Sequence, residues 1–262
     1  MSPDRCDQIF YLPVADEVEI GQLAHQCKLP LLLKGPTGSG KSRYVEFLAQ
    51  KLDLKLFTIS CHEETSSIDL VGRHLVIGQE TKWVDGPLTR AVREGAIVYL
   101  DEVAEARADT LVLLHALTDH RRTLFIDRTN EEIAAPESFM LVASYNPGYQ
   151  HGFKELKAST RQRFISMAFD YPDSARESAI VSNESKADEK IVNRLVKLAG
   201  KIRNLHNLGL KESVSTRLLI DSAKLIQGGL PPRRACHVAI AQVLTDDNTT
   251  LTSLDDLIAL HF

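Results

Sequence analysis

Short apolar runs alternate with stretches of helical periodicity over the first two thirds of the chain. The apolar runs at residues 31–34, 54–60, 96–100, 139–144 and 164–169 are predicted strands. Strands that alternate with helices form a parallel sheet with helices on both faces. The pattern therefore predicts the α/β class, with the sheet as the core of a first domain.

Two stretches interrupt this alternation, and each has the pattern of a β-hairpin. Residues 72–85 contain Val76, Ile77 and Trp83 around a central glycine, Gly78. Residues 123–137 contain a second pair of short apolar segments, just before the predicted strand at 139–144. Both are predicted to be hairpins inserted between the helices and strands of the sheet domain.

The pattern becomes entirely helical after Tyr171. Helices are predicted at residues 174–182, 187–205, 214–227 and 233–244. Glycine and proline residues, which end helices, lie between several of them. We therefore predict a first domain at residues 1–171 and an all-helical second domain at residues 172–262.

The first predicted strand leads directly into a glycine-rich segment, LPLLLKGPTGSGKS, at residues 29–42. Its spacing fits G-x-x-x-x-G-K-[ST], and a helix with apolar residues at helical spacing is predicted at residues 41–52. Glycines let backbone N–H groups surround a polyphosphate, and the N-terminus of the helix favours an anion. Lys41 is expected to reach the β- and γ-phosphates, and Ser42 to bind Mg²⁺. The predicted nucleotide-binding residues here are Gly35, Pro36, Thr37, Gly38, Ser39, Gly40, Lys41, Ser42 and Arg43.

Two acids follow the apolar strand AIVYL, at Asp101 and Glu102. The carboxyl ends of parallel strands are where open α/β sheets bind their ligands. Asp101 is therefore predicted to hold Mg²⁺, directly or through water, and Glu102 to polarise the attacking water. With the phosphate loop upstream, the pair predicts hydrolysis of a nucleoside triphosphate.

Composition narrows the range of partners and compartments. The chain has 262 residues, 44% of them hydrophobic and 25% charged, with a formal net charge of −4. An acidic balance argues against a nucleic-acid partner, and no apolar run approaches the roughly 20 residues that span a bilayer. The scattered cysteines predict reduced thiols in a cytoplasmic protein rather than disulfides or a metal site. They are Cys6, Cys27, Cys61 and Cys236.

Several segments together resemble one family. The segment from Asp101 to Ala106 is similar to the DE-x-x-x-A motif of AAA+ ATPases of the MoxR branch. Within that branch the chain resembles the CbbQ/NorQ group along nearly its whole length. The resemblance implies a P-loop AAA+ αβα sandwich with two hairpin insertions, followed by a small helical lid domain. The segments that carry it are KGPTGSGKSR, DLVGRHL, WVDGPLTRAVREGA, LTDHRRTL, SYNPGYQ, STRQRF and STRLL.

The resemblance also implies roles for four polar residues. Asn146 corresponds to sensor 1, which orients the catalytic water, and an amide can donate and accept the hydrogen bonds needed. Its alternative role is to start a turn before a proline. Arg163 corresponds to the arginine finger because it directly precedes Phe164. Arg161 assists it, holds the subunit interface or is a solvated charge.

Arg217 corresponds to sensor 2 of the lid. A helix capped by Ser215 would place Arg217 in its first turn, where a cation is unfavourable unless an anion lies near. The alternative is an ordinary surface arginine.

For function, the resemblance implies a ring, expected to be a hexamer, that remodels a client protein. It implies a partner with a von Willebrand factor A domain, of the CbbO/NorD type. The expected client is Rubisco, freed of inhibitory sugar phosphates, with nitric oxide reductase under maturation as the alternative. A nucleotide-gated binding module with little turnover and a nucleic-acid motor remain as further hypotheses.

The two hairpins carry the candidate contacts with client and adaptor. Trp83 either grips a partner's chain within a central pore or packs against the helix predicted at residues 87–93. In the second hairpin, the charged residues form either a solvated turn or an adaptor contact. They are Asp127, Arg128, Glu131 and Glu132.

Overall fold

The computed structural model describes residues 9–147, 156–205, 210 and 212–262. The chain divides into two compact units. The first runs to Gly35 and continues over Gly40–Phe169, and the second comprises Pro36–Ser39 and Asp170–Phe262. The middle of the phosphate loop is thus grouped with the helical unit. The predicted boundary at residue 171 assigns the whole loop to the first domain, whereas the structure groups Pro36–Ser39 with the second unit.

A five-stranded parallel sheet forms the first unit, in the order β2-β5-β8-β1-β9. The predicted parallel sheet is confirmed, with strand bounds close to those expected. The phosphate-loop strand β1 lies between β8 and β9, and β8 separates it from the acidic strand β5. The strands are β1 (Leu31–Lys34), β2 (Leu56–Ser60), β3 (Gly72–Ile77), β4 (Glu80–Asp85), β5 (Ile97–Asp101), β6 (Thr123–Ile126), β7 (Glu131–Ala134), β8 (Met140–Tyr145) and β9 (Ile165–Ala168).

Helices cover both faces of this sheet, because the central strands are continuously apolar and so direct apolar side chains to both faces. On β1, Leu31 and Leu33 belong to one core cluster, with residues of α2, whereas Leu32 belongs to the other, with residues of α4. The helices of the first unit are α1 (Glu17–Gln26), α2 (Lys41–Leu52), α3 (Ser67–Val71), α4 (Pro87–Glu94), α5 (Ala108–His115) and α6 (Ala158–Arg161).

Both predicted hairpins are present as antiparallel pairs, β3 with β4 and β6 with β7. Arg93 of α4 links them, because its Nε lies 2.8 Å from Asp85 Oδ2 and its Nη2 lies 2.6 Å from Glu131 Oε2. Glu131 is therefore held by an ion pair on the protein's own surface, while Asp127 and Arg128 are exposed at the turn.

The second unit is helical and has its own hydrophobic core. The predicted helix at residues 233–244 is instead two short helices joined by a π-helical turn, His237–Ala241. The last helix, α12, was not predicted individually because its first turns are rich in threonine and serine, although Leu254 and Ile258 are buried in the core. The helices are α7 (Ser174–Ser185), α8 (Glu189–Asn204), α9 (Thr216–Gln227), α10 (Pro232–Cys236), α11 (Gln242–Leu244) and α12 (Asn248–His261).

The described residues include neither a membrane-spanning helix nor a side-chain cluster for a metal ion. None of the helices there combines the length and the apolar character that a bilayer crossing requires. The same residues contain no group of three or more His, Cys, Asp or Glu side chains arranged to hold a metal ion.

Candidate nucleotide-binding and hydrolysis site

The phosphate loop begins where β1 ends, and close packing fixes the identity of its first residue. A Cβ at Gly35 would lie 2.2 Å from the carbonyl oxygen of Phe169, so only glycine fits. At the far end, Gly40 caps α2 with φ 94°, a conformation that favours glycine. The buried Lys41 follows, and its Nζ donates to the Gly35 carbonyl at 2.7 Å. The loop thus closes on itself with a cation inside and the N-terminus of a helix beside it.

Asp101, at the end of β5, accepts hydrogen bonds from three hydroxyl groups. The Ser144 Oγ lies 2.5 Å and the Tyr99 hydroxyl 2.7 Å from Oδ1, and the Ser42 Oγ lies 3.4 Å from Oδ2. The structure therefore brings the predicted magnesium ligands Ser42 and Asp101 together. A hydroxyl and a carboxylate are hard oxygen donors of the kind Mg²⁺ binds in proteins, so the residues present fit this ion.

Glu102 turns away from the strand in the left-handed conformation, with φ 53°. Its backbone N–H donates to the Ser144 Oγ at 3.1 Å, and the backbone N–H of Asn146 donates to its carboxylate. Burial raises the pKa of Glu102, the Lys41 ammonium lowers it, and the adjacent Asp101 raises it again, with a net increase. A carboxylate with a raised pKa is a better proton acceptor, which suits a general base.

Ser144 and Tyr99 are functional candidates that the sequence analysis did not single out. Tyr99 precedes Asp101 by two residues and so lies on the same face of β5. Ser144 is fully buried on β8, whose register with β5 pairs Leu100 with Ala143 and so places Ser144 beside Asp101. The period-2 pattern could have indicated Tyr99, whereas Ser144 required knowledge of the strand order.

The two candidate finger arginines have different surroundings. Arg163 is partly buried, and its Nη1 lies 3.4 Å from the His115 carbonyl oxygen and 3.8 Å from Asp119 Oδ2. Its Nε is buried with no hydrogen-bond partner among the described residues. Arg161 is exposed at the end of α6, and its side chain makes no hydrogen bond or ion pair with any residue that the structure describes.

Arg217 lies in the first turn of α9, as the sequence analysis predicted from Ser215. The Ser215 side chain caps this helix by accepting from the Leu218 N–H at 3.5 Å. Within the second unit, a Cβ at Gly38 would lie 2.5 Å from the Ser215 Cβ and 3.7 Å from the Arg217 Cβ. Arg217 is thus beside residue 38 of the phosphate loop, on an exposed helix position.

Four other predicted residues have simple placements. Arg43 is exposed on α2 and its Nη1 lies 3.3 Å from Glu46 Oε2. The Pro36 carbonyl accepts from the Ser39 Oγ at 2.9 Å, and the Thr37 carbonyl accepts from the Tyr171 hydroxyl at 3.2 Å. In the motif SYNPGYQ, Gly148, Tyr149 and Gln150 lie outside the described residues.

Trp83 is not an exposed gripping residue, and that interpretation is wrong. Its ring is partly buried against the core cluster that includes residues of α4, and it contacts the His74 ring edge-on at 5.1 Å between centroids. Its Nε1 donates to Asp85 Oδ1 at 2.6 Å. The packing alternative is therefore the correct one. The exposed apolar side chains of this hairpin are instead Leu75, Val76 and Ile77 on β3, near the turn, and Val84 on β4.

Together the parallel sheet, the phosphate loop, the paired acids and the helical second unit define a P-loop AAA+ ATPase. Solved structures with the same fold include RuvB from Thermotoga maritima, with a TM-score of 0.57 at 14% identity, covering 93% of this chain and 69% of that one. NtrX from Brucella abortus has a TM-score of 0.59 at 15% identity, covering 86% of this chain and 53% of that one.

Sequence comparisons identify the family within this class. Residues 30–164 match the AAA domain of the dynein-related subfamily, and residues 177–261 match the CbbQ/NirQ/NorQ C-terminal domain. The chain therefore belongs to the CbbQ/NirQ/NorQ family of the MoxR-type AAA+ proteins.

Three curated relatives illustrate this membership. NorQ of Paracoccus denitrificans is 55% identical, with 98% of this chain and 95% of the relative covered. The denitrification regulatory protein NirQ of Stutzerimonas stutzeri is 52% identical, with 98% of this chain and 93% of the relative covered. CbbQ of Hydrogenophilus thermoluteolus is 50% identical, with 91% of this chain and 89% of the relative covered. The predicted resemblance is confirmed.

Proposed function

We propose that this chain is a magnesium-dependent ATPase that works as a ring, expected to be a hexamer, and uses ATP hydrolysis to remodel a client protein. The observation that carries the proposal is the cluster at the end of β5. There, Ser42 of the phosphate loop, Asp101 and Glu102 come together around the buried hydroxyl of Ser144. Binding of a triphosphate alone would not require a partly buried carboxylate with a raised pKa next to the loop.

Each residue has a defined task in this proposal. Lys41 and the loop N–H groups hold the phosphates, and Ser42 and Asp101 hold Mg²⁺, which would offset the phosphate charge. Glu102 accepts a proton from the attacking water, since its carboxylate is partly buried beside the cation of Lys41. Asn146 orients that water, and its backbone already contacts Glu102.

The ring follows from the two arginines before β9. An arginine finger adds positive charge to the transition state in a neighbouring subunit, so it has no role in an isolated chain. We propose Arg163 as the finger and Arg161 as its assistant at the subunit interface. The exposure of Arg161 supports a contact with a second copy. Arg217 is proposed to sense the γ-phosphate within its own subunit.

The client is proposed to contact the first hairpin. Near its turn, Val76 is 76% and Ile77 is 53% exposed, and with Leu75 they form a run of exposed aliphatic side chains of the kind that marks interaction sites. Hydrolysis would move this apolar end against the client. An adaptor with a von Willebrand factor A domain, of the CbbO/NorD type, is proposed to recruit the client in the cytoplasm, without nucleic acid.

Two clients are proposed. Rubisco, freed of inhibitory sugar phosphates, is implied by the resemblance to the CbbQ group, and a maturing nitric oxide reductase is favoured by the names of the relatives. Relatives of 52% and 51% identity are named denitrification regulatory proteins, and NorQ is 55% identical, whereas CbbQ is 50% identical. Remodelling assays with each client, each with its own adaptor, distinguish the two by which one recovers activity.

The enzymatic part is tested by comparing the wild-type protein with Glu102→Gln. We expect ATP hydrolysis by the wild type that requires Mg²⁺, and a large loss in the variant with ATP binding retained. Equal, negligible turnover in both would instead identify a nucleotide-gated binding module. Stimulation of turnover by DNA, with a steep salt dependence, would point to a nucleic-acid motor.

A further inference from the structure

A largely buried ion pair joins α7 and α8 of the helical unit. Arg203, near the end of α8, donates from Nη1 and Nη2 to the two carboxylate oxygens of Glu177 at 2.8 and 2.7 Å. Its Nε donates to the Val214 carbonyl oxygen at 2.8 Å. Glu177 is 1% exposed and also accepts from the Thr216 Oγ1 at 2.6 Å. The guanidinium therefore joins α7 and α8 to the start of α9.

Burial of this pair has a cost that ordinary packing would avoid. Removing two charges from water is expensive, and replacing a buried ion pair with apolar residues is often neutral or stabilising. A buried ion pair is therefore better explained by the side-chain positions that it fixes than by a gain in stability. Here the guanidinium uses all three of its nitrogen atoms and the carboxylate both of its oxygens, which holds Glu177, Arg203 and the Val214 carbonyl in a fixed relative position.

Two ends of this network reach the phosphate loop. The Arg203 guanidinium stacks on the Tyr171 ring at 4.2 Å from its centroid, and the Tyr171 hydroxyl donates to the Thr37 carbonyl at 3.2 Å. At the other end, Thr216 lies between Ser215 and Arg217 in sequence, the two residues beside Gly38.

We propose that Arg203 is a positioning residue for nucleotide binding, which aligns Tyr171 with the phosphate loop and the first turn of α9 with residue 38. Arg203 does not touch the nucleotide in this scheme. It acts through the Thr37 carbonyl on one side and through the helix that carries Arg217 on the other. The inference rests on the proposed ATPase function, and it adds that the helical unit sets the shape of residues 36–39.

The sharpest variant is Tyr171→Phe, which keeps the ring under the guanidinium and removes only the hydroxyl. A neutral hydrogen bond contributes about 0.5–1.5 kcal/mol, so we expect MgADP to bind about 2- to 10-fold more weakly by calorimetric titration. The thermal midpoint of the nucleotide-free protein should fall by no more than the few degrees that loss of one hydrogen bond explains. Arg203→Lys keeps the charge but cannot hold both carboxylate oxygens, and should weaken binding at least as much.

Arg194→Ala is the matched control. Arg194 lies on the same helix, is exposed, and has its guanidinium 5.9 Å from the Phe262 ring, away from this network. Its MgADP affinity should equal that of the wild type.

Wild-type affinity in Tyr171→Phe would overturn the proposal while leaving the ATPase intact. Loss of affinity together with a thermal midpoint lowered by far more than one hydrogen bond explains would also overturn it, in favour of a purely structural role. Failure of the wild type itself to bind MgADP would overturn the proposed function and this inference together.

Discussion

Replacing Ser144 with alanine removes one hydroxyl that touches both acids of the hydrolysis site. The Oγ donates to Asp101 at 2.5 Å and accepts from the Glu102 N–H at 3.1 Å, and Ser144 is fully buried. Water cannot easily replace the lost partner, because the neighbouring β8 side chains are buried as well. The substitution therefore changes the position of both acids without removing either.

The size of the effect follows from these two contacts. A hydrogen bond to a charged group contributes about 1.5–3 kcal/mol, and about 1.4 kcal/mol corresponds to a factor of ten. Asp101 retains the Tyr99 hydroxyl at 2.7 Å, so its carboxylate is not left unpaired. We expect kcat for ATP hydrolysis to fall about 10- to 100-fold, the range typical for residues that orient metal ligands. The Mg²⁺ concentration for half-maximal rate should rise.

The assay is steady-state phosphate release over a range of MgCl₂ concentrations. Ser222→Ala is the matched control, since Ser222 is also fully buried and its Oγ donates only to the Leu218 carbonyl, at 2.7 Å, within α9. Its turnover should match that of the wild type. A Ser144→Ala protein with wild-type kcat and wild-type Mg²⁺ dependence would refute the positioning of the two acids by this hydroxyl.

Three further predictions concern the base, the finger and the first hairpin. Burial raises the pKa of Glu102, and only its ionised form accepts a proton. As the pH is lowered, kcat/KM should therefore begin to fall at a higher pH than an ordinary glutamate would give; a fall that begins only in the usual range for glutamate contradicts this. Arg163→Ala should keep ATP affinity and lose about 1000-fold in hydrolysis, partly restored by mixing with Glu102→Gln subunits. Such a loss in Arg161→Ala alone would assign the finger to Arg161. Trp83→Ala should lower the free energy of unfolding by about 2–3 kcal/mol in chemical denaturation and Trp83→Phe by less; unchanged stability would argue against packing.

Local sequence signals were sufficient for the elements and for part of the site. The phosphate loop, the acidic strand end and both hairpins are encoded in short segments, because glycine spacing, apolar runs and turn residues act on their immediate neighbours. The N-cap at Ser215 could also be predicted from the sequence, since the serine directly precedes the helix that it caps. The last helix was harder to delimit, because polar residues obscure its periodicity.

The sequence by itself determined that this protein carries a phosphate-binding loop, a pair of acids after a buried strand and a helical second unit. Only the tertiary structure decided that Ser144 lies beside Asp101, that Trp83 is packed and that Arg203 is linked to the phosphate loop. These contacts join residues far apart in the chain, so they depend on strand order and helix packing. No local pattern records which strands become neighbours, because pairing is decided by the burial of the whole sheet.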